Sequence, residues 1–261
     1  MRGGRERHGC ARARRRWTAR LAALAVCPAA FAAPPPEAGT YVLVPVVTQG
    51  EREIDVYAGV ASAGAAVAHE ADAAAALGAA IGDRWSAELA VRYRQASGAA
   101  TALDALEWEN VVVFAEPGQW IVDVGVALEV ESPHDSGEGL LLRAGPLLQK
   151  DFGRMQVNFN LLAGRHVGGT EFAATQFEYQ GQLKYRYSEP FEFGLQSFGG
   201  FSSPASAWAA YASQAHRLGP ALFGRAALRG ERSISYNAAF LLGTTAHSPD
   251  RTLRVQLEYE F

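Results

Sequence analysis

The sequence predicts an all-β protein: an antiparallel transmembrane β-barrel of about twelve strands, preceded by an N-terminal signal peptide. Apolar and polar residues alternate in one segment after another, each about ten residues long, as in strands with a lipid face and a lumen face. Short and long connections between these segments also alternate. The stretch Thr252 to Phe261 alternates without a fault, which is the period of a strand.

Residues 1–32 have the composition of a secretory signal peptide. Arginines are concentrated between Arg12 and Arg20, and the apolar stretch Leu21 to Phe31 follows them. Ala30-Phe31-Ala32 then matches a cleavage site of small residues. The apolar stretch is too short for a helix that spans a bilayer. We expect the exported chain to begin after this segment.

Loss of this segment would leave an acidic chain without cysteine. The segment holds eight Arg and one Glu, so its removal changes the formal net charge from −3 to −10. Cys10 and Cys27 are the only cysteines, which excludes disulfides and thiolate metal sites from the rest of the chain. Cys27 fits a lipidation site poorly, because Val26 precedes it and Pro28 follows it. The acidic balance without basic runs argues against nucleic acid as a partner.

The predicted barrel occupies residues 52–261. Its clearest interior strand is Phe177–Tyr187, where aromatic residues and Leu alternate with Glu, Gln, Lys and Arg. Ala71–Ile81 would suit a helix by propensity, but its neighbours are strands and we predict a strand. The other strands are predicted at Arg52–Ser62, Trp85–Arg94, Asp104–Ala115, Trp120–Glu131, Gly139–Lys150, Met155–Gly164, Phe191–Phe201, Arg217–Leu228, Arg232–Gly243 and Thr252–Phe261.

The connections indicate how the barrel is oriented. Tight links such as Asp151–Arg154 alternate with longer ones such as Arg165–Thr175. In bacterial barrels the periplasmic turns are short and the outer loops are long, so both ends of the barrel sequence are expected on the periplasmic side. A soluble β-sandwich would also alternate strands and turns, but it would not place aromatic residues so regularly at the ends of apolar faces.

Residues 33–51 are expected to form a periplasmic lead-in or a short plug. Tyr41–Val47 is apolar enough for an extra strand. Pro45 argues against this, because proline cannot donate a hydrogen bond to a neighbouring strand.

The face predicted to line the lumen is dense in charge, and adjacent strands carry opposite signs. Arg92 and Arg94 are expected beside two glutamates of the next strand, and a lysine and an arginine are expected beside Glu192. Barrel closure would bring Arg254 near Glu53 or Asp55. Such pairs neutralise one another and fix the register, although the same charges could line a selective conduit. The predicted charge ladder comprises Glu88, Arg92, Arg94, Glu107, Glu109, Lys184, Arg186, Glu192, Arg254 and Glu258.

No residue qualifies as catalytic from the sequence. A lipase-like site needs a serine whose hydroxyl is activated by an oriented histidine. His216 follows Ser202, Ser203 and Ser213, but this is proximity in sequence alone. An outer-membrane enzyme that hydrolyses lipid or peptide remains the alternative interpretation.

The histidines after the signal peptide form a pattern. His69, His134, His166, His216 and His247 all map to predicted outer loops or to their edges. Imidazole is a common ligand of zinc and copper, and strand pairing can bring loop bases together. We therefore predict that His166 and His216 form a metal pair. The simpler expectation is that loops collect polar residues without a shared role.

Five blocks of the chain are distinctive: Gly50–Asp55, Asp104–Asn110, Gly145–Gln149, His216–Gly224 and Ser248–Asp250. Together they resemble a family of uncharacterised exported proteobacterial proteins that are outer-membrane β-barrels. The last strand resembles the C-terminal assembly signal of such barrels, with Tyr259 and Phe261 as its aromatic residues. The resemblance covers most of the exported chain. It implies outer-membrane residence and carries no activity.

These observations favour a non-enzymatic protein of the outer membrane of a Gram-negative bacterium. It would be a narrow, porin-like channel or a structural barrel for small solutes. A surface protein that binds a metal or another ligand through its loops is the third possibility. No cofactor is expected. The expected partners are outer-membrane lipid and the barrel assembly machinery.

Overall fold

The fold is a closed barrel of twelve antiparallel strands. The computed structural model describes residues 36–135, 137–170, 174–201, 211–230 and 232–261, so the predicted signal peptide lies outside the described residues. A 3-10 turn, Tyr211–Ser213, precedes the tenth strand. The strands are β1 (Arg52–Ala61), β2 (Glu70–Ala80), β3 (Trp85–Ala96), β4 (Ala102–Val113), β5 (Asp123–Pro133), β6 (Leu140–Phe152), β7 (Met155–Val167), β8 (Gln176–Ser188), β9 (Phe191–Phe201), β10 (Ala215–Ala227), β11 (Ser233–Gly243) and β12 (Arg251–Glu260).

Each strand pairs with its neighbours in sequence, and β1 closes the barrel against β12. The closing register places Ile54 opposite Tyr259 and Gly59 opposite Arg254. Beyond β12, the amide of Phe261 donates a hydrogen bond to the carbonyl of Arg52 at 2.9 Å. Closure leaves no edge strand with unpaired backbone groups, which is the condition for a sheet that lies in lipid. The predicted fold class is confirmed.

The outward faces of the strands are apolar. Leu77 of β2 and Leu89 of β3 expose 65% and 60% of their surface, and Leu253 and Leu257 of β12 expose more than half. A continuous belt of exposed large apolar side chains is typical of a barrel wall that faces lipid. Within the described residues, no helix is both long enough and apolar enough to cross a membrane.

Short turns and longer loops alternate around the barrel as predicted, with one exception: the connection of residues 114–122 before β5 is longer than that of residues 97–101 before β4. Two residues join β6 to β7, and Gly153 takes a φ of 62° there, a conformation that favours glycine. We call this side the turn end; Arg52 and Glu260 also lie there. The opposite side carries longer connections such as residues 62–69 and 168–175, and we call it the loop end.

The alanine-rich segment is strand β2, because β1 and β3 pair with it on both sides and satisfy its backbone groups. Ala74 and Ala76 point inward and pack with the ring of Tyr57, against which Tyr41 also lies. Small side chains on β2 leave the space that these two rings occupy. Tertiary packing therefore overrides helix propensity here.

Strand β5 begins at Asp123, later than the predicted start at Trp120. The residues before it form an extended turn, in which the amide of Gly118 donates to the Asp123 carboxylate at 2.6 Å. This bond stabilises the turn at the start of the strand. Trp120 and Ile121 are left outside the ladder, with 49% and 85% of their surface exposed.

Candidate functional site: the barrel lumen

The inward faces of the strands line the lumen with charged and amide side chains. Across β6 to β9 the amides form a chain of hydrogen bonds. Asn158 donates to Gln149 at 2.9 Å, Gln182 donates to Asn158 at 3.2 Å, and Gln196 donates to Gln182 at 2.7 Å. All four amide side chains are buried. A satisfied network of this kind fixes the positions of four neighbouring strands.

Arg92 is the centre of the largest group of interior ion pairs. It lies on β3, and its guanidinium reaches Glu107 of β4 and Glu131 of β5. It also donates to Glu37, which precedes the barrel, at 2.7 Å. Nearby, Arg143 pairs with Glu129. The three glutamates of β4 and β5 in this region are buried, so removing an arginine would leave buried charge without a partner.

All ten residues of the predicted charge ladder point inward. Nine line one of two cavities in the lumen, and Arg254 is buried in the wall with 1% of its surface exposed. Two of the expected pairings are present: Arg92 with Glu107, and Lys184 with Glu192 at 3.3 Å.

Three arginines of the ladder, Arg94, Arg186 and Arg254, have partners other than those expected. Arg94 pairs with Glu70 of β2 at 2.7 Å, because the register sets Arg94 opposite Ala102 of β4 and not opposite a glutamate. Arg186 pairs with Asp151 of β6 at 3.0 Å.

Arg254 does not meet Glu53 or Asp55, because the closing register sets it opposite Gly59. It donates to Gln196 and Asn237 instead, and its guanidinium lies 5.7 Å from the ring centroid of Phe198. Arg217 lies 5.9 Å from the same ring.

Residues 36–47 run through the lumen, and we call them the lumen segment. Ala38, Val42 and Leu43 each expose 7% of their surface or less. Val42 packs against a cluster from β9 to β11, whereas Leu43 packs against a second cluster from β4 to β7. The rings of Tyr41 and Tyr57 lie 5.0 Å apart. The lumen segment therefore bridges walls of the barrel that are distant in the sheet.

The wall also binds the backbone of the lumen segment. Arg217 donates to the carbonyls of Pro36 and Glu37, at 2.7 and 2.9 Å. The amide of Gly39 donates to both carboxylate oxygens of Asp72 at 2.9 Å.

Leu43 is held at both of its backbone polar groups. Its amide donates to Gln180 at 3.0 Å, and its carbonyl accepts from Asn160 at 2.9 Å. The sequence alone predicts no role for these wall residues. The one available signal was the run of uncharged amides on the inward faces of β7 and β8.

The lumen segment lies between two cavities. One, of about 470 Å³, lies toward the turn end and is lined by residues such as Glu53, Glu88 and Glu258. The other, of about 420 Å³, lies toward the loop end and is lined by Arg92, Glu131 and their neighbours. Tyr41 and Leu43 line both cavities. The lumen segment therefore separates two polar spaces inside one barrel.

Both cavities carry more acidic than basic side chains. Toward the turn end, eight carboxylates face Lys184, Arg186 and Arg225; they belong to Glu53, Asp55, Glu88, Glu109, Glu189, Glu192, Glu258 and Glu260. The carboxylate oxygens of Glu53, Asp55 and Glu88 approach within 4.8 Å of one another. Within the part of the chain that the structure describes, these three form no ion pair. A lumen of this composition attracts cations.

His166 and His216 are not brought together. They lie on β7 and β10, with two strands between them. Both ring nitrogens of His216 already have partners, Tyr179 and Gln214, each at 2.9 Å. The ring of His216 is therefore available neither for the predicted metal pair nor to activate a serine. Ser202 and Ser203 lie outside the described residues.

The last strand ends at the outer surface of the turn end. The rings of Tyr259 and Phe261 stack with their centroids 5.7 Å apart, and Phe261 exposes 49% of its surface. Aromatic side chains at this position are typical of the belt where a barrel meets the membrane interface.

The fold and the lumen define a twelve-stranded barrel with an apolar exterior and a charged interior. Among solved structures it is similar to the NanC porin, with a TM-score of 0.52, 11% identity, and coverage of 80% of this chain and 98% of that one. It is also similar to the KdgM porin, with a TM-score of 0.51, 9% identity and the same coverage of both chains. At these identities the similarity shows the fold. No family model and no curated protein matches the sequence.

Proposed function

We propose that this chain is a non-enzymatic outer-membrane channel for small solutes, with a preference for cations. The observation that carries the proposal is the pair of charged cavities, about 470 and 420 Å³, inside one closed barrel. Among the described residues, Tyr41 and Leu43 of the lumen segment line both cavities. Channels of this kind select by the charge and width of their lining.

The apolar exterior of the barrel indicates that it lies in a membrane. A belt of exposed leucines requires lipid around the strands, and a closed antiparallel barrel is the form that bacterial outer membranes accommodate. Both of the similar structures are porins, which supports this assignment. Outer-membrane lipid and the barrel assembly machinery are the proposed partners.

Hydrolysis of lipid or peptide is a weaker candidate. The histidine closest in sequence to several serines, His216, is bonded through its ring to a tyrosine and a glutamine. Serine catalysis needs an imidazole that takes the proton of the hydroxyl. A lipase or protease assay on the folded barrel would detect such an activity.

Current through single molecules in a planar bilayer tests the proposal. With a KCl gradient across the bilayer, the reversal potential should indicate that K⁺ crosses more readily than Cl⁻. Replacing Glu53 and Glu88 together by Gln should reduce this preference, because both carboxylates face the cavity toward the turn end. Glu116→Gln, in the turn before β5, is the matched control and should leave the reversal potential unchanged.

Absence of current from barrels that are folded and inserted would refute the channel. A preference for anions would refute only the assignment of cations as the solute and would leave the channel standing.

A further inference from the structure

The wall holds the lumen segment as a protein holds a peptide ligand. Carbonyls of Pro36 and Glu37, the amide of Gly39, and both the amide and the carbonyl of Leu43 bond to wall side chains. The wall partners are all buried: Asn160 exposes 0%, Arg217 2%, Gln180 5% and Asp72 6% of its surface. Recognition of main-chain amides and carbonyls is how proteins bind extended peptides of varied sequence.

The shape of the wall fits a main chain at close range. A Cβ atom on Gly59 of β1 would lie 2.1 Å from the carbonyl carbon of Ala38. A Cβ atom on Gly125 of β5 would lie 3.1 Å from the Cβ of Pro45. The first distance is too short for a real contact, and the second is close to the limit. Glycine at position 59 therefore leaves room for the backbone of the lumen segment. Glycine at position 125 leaves room for Pro45 and also for the carbonyl of Val112, which would lie 2.9 Å from the same Cβ atom.

Side chains of the lumen segment enter separate apolar sites on opposite walls. Val42 contacts the cluster that includes Phe198 and Leu241, and Leu43 contacts the cluster that includes Leu147 and Leu162. Successive side chains of an extended chain point to opposite sides, so one site on each wall suits an extended peptide. Backbone bonds and alternating side-chain sites together make a complete peptide site.

The lumen segment has little structure of its own. Its internal backbone hydrogen bond, among those of the described residues, joins the amide of Thr40 to the carbonyl of Glu37 at 3.3 Å. A turn closed between Thr48 and Glu51, with Gly50 at a φ of 83°, connects it to β1. The path of the lumen segment is therefore imposed by the wall, and one turn links it to the barrel.

We propose that the lumen is a binding site for an extended peptide, that residues 36–47 are its resident ligand, and that this ligand can be exchanged. The site would take a short, largely apolar, extended peptide that offers one acidic side chain to Arg92. This inference does not rest on conduction.

Exchange is tested by chemical labelling of the resident ligand. The full chain carries Val42→Cys, with Cys10 and Cys27 replaced by Ser, and is folded in detergent. Val42 is buried against the inner wall of the barrel, so a water-soluble maleimide should react slowly with the thiol introduced there. The probe is a synthetic peptide of residues 36–47 with a lysine tail for solubility. Because a tethered ligand has an effective concentration on the order of millimolar, the peptide is titrated to about 10 mM.

We expect the peptide to displace the lumen segment and to raise the labelling rate of the introduced thiol by about tenfold, with saturation. The matched control peptide carries Asp in place of Leu43 and should have no effect, because its side chain cannot enter the apolar site. Heat-dependent electrophoretic mobility confirms that each barrel is folded.

Two results would overturn the proposal. One is a labelling rate that the peptide does not change, in a folded barrel whose denatured form labels fully. The other is an equal rise with both peptides, which would indicate general loosening of the barrel. If Val42→Cys does not fold, the same titration on Ala38→Cys decides, because Ala38 is also buried in the site. Labelling requires no current, so a barrel that fails to conduct would refute the channel and leave this result standing.

Discussion

Arg92 donates a hydrogen bond to the carboxylate of Glu37 at 2.7 Å and so ties the wall of the barrel to the segment that fills it. The same guanidinium neutralises Glu107 and Glu131. The bond to Glu37 is more exposed than the other two: Glu37 keeps 27% of its side chain accessible, against 7% and 9% for the wall glutamates. A substitution at Glu37 would therefore remove the contact with the lumen segment and leave the two wall pairs of Arg92 in place.

Replacing Arg92 by Met should destabilise the barrel by about 3–5 kcal/mol, because it leaves buried carboxylates without a cation. Reversible urea unfolding in lipid vesicles measures this change. Arg94→Met, two positions along the same strand, is the matched control. Its pair with Glu70 is more exposed, so the expected loss is about 1 kcal/mol or less. Equal losses for the two variants would contradict the assignment of Arg92 as the centre of the group.

Leu183→Arg should cost about 2–4 kcal/mol, because Leu183 points outward near the middle of β8 and the new charge would lie in lipid. Lys184→Arg is the control: Lys184 points inward and pairs with Glu192, so the charge is retained in the lumen. The free energy of unfolding in vesicles distinguishes the two faces. Similar costs would mean that the faces of β8 are assigned wrongly.

Gly59→Val should push the lumen segment away from β1, since even a Cβ atom would lie 2.1 Å from the backbone of Ala38. The strain should cost about 1–3 kcal/mol, and the displaced segment should leave a larger single-channel conductance. Ala58→Val is the matched control, because its side chain points outward on the same strand. A folded Gly59→Val barrel with unchanged conductance would show that the lumen segment does not limit the current.

Deletion of Phe261 should reduce insertion into the outer membrane and leave material in the periplasm, because the aromatic end of β12 is the predicted assembly signal. Fractionation followed by heat-dependent electrophoresis measures inserted protein. Phe261→Tyr, which keeps an aromatic ring, should insert normally. Normal insertion of the deletion variant would remove Phe261 from the assembly signal.

The strands were predictable because their signal is local. An alternation such as Phe177 to Tyr187 follows from the requirement that one face meets lipid and the other the lumen. The predicted start of β5 is wrong, because the amide of Gly118 donates a hydrogen bond to the Asp123 carboxylate and stabilises a turn that the apolar residues Trp120 and Ile121 do not indicate.

The lumen segment was less predictable because its partners are distant in sequence. Gly39 bonds to Asp72, and Leu43 bonds to Asn160 and Gln180, more than a hundred residues away. No local period records such contacts, so a lead-in and a plug remained equally open. The partner of Arg254 depended in the same way on the closing register, which one strand alone does not determine.

A reversible lock on the lumen segment tests the central claim most directly. A Cβ atom on Gly39 would lie 3.3 Å from the Cγ of Asp72, so Gly39→Cys with Asp72→Cys brings two sulfurs within bonding range. Cys10 and Cys27 are replaced by Ser, and mass spectrometry verifies the disulfide. Single-channel current is then recorded before and after reduction on the same bilayer.

If the lumen segment closes a cation-preferring path, the oxidised barrel should carry a small, steady current. Reduction should add larger openings, because the locked segment can then leave the path. Each single-cysteine variant should be insensitive to the reductant. Equal currents in the two states, or no current from folded barrels in either state, would contradict the account.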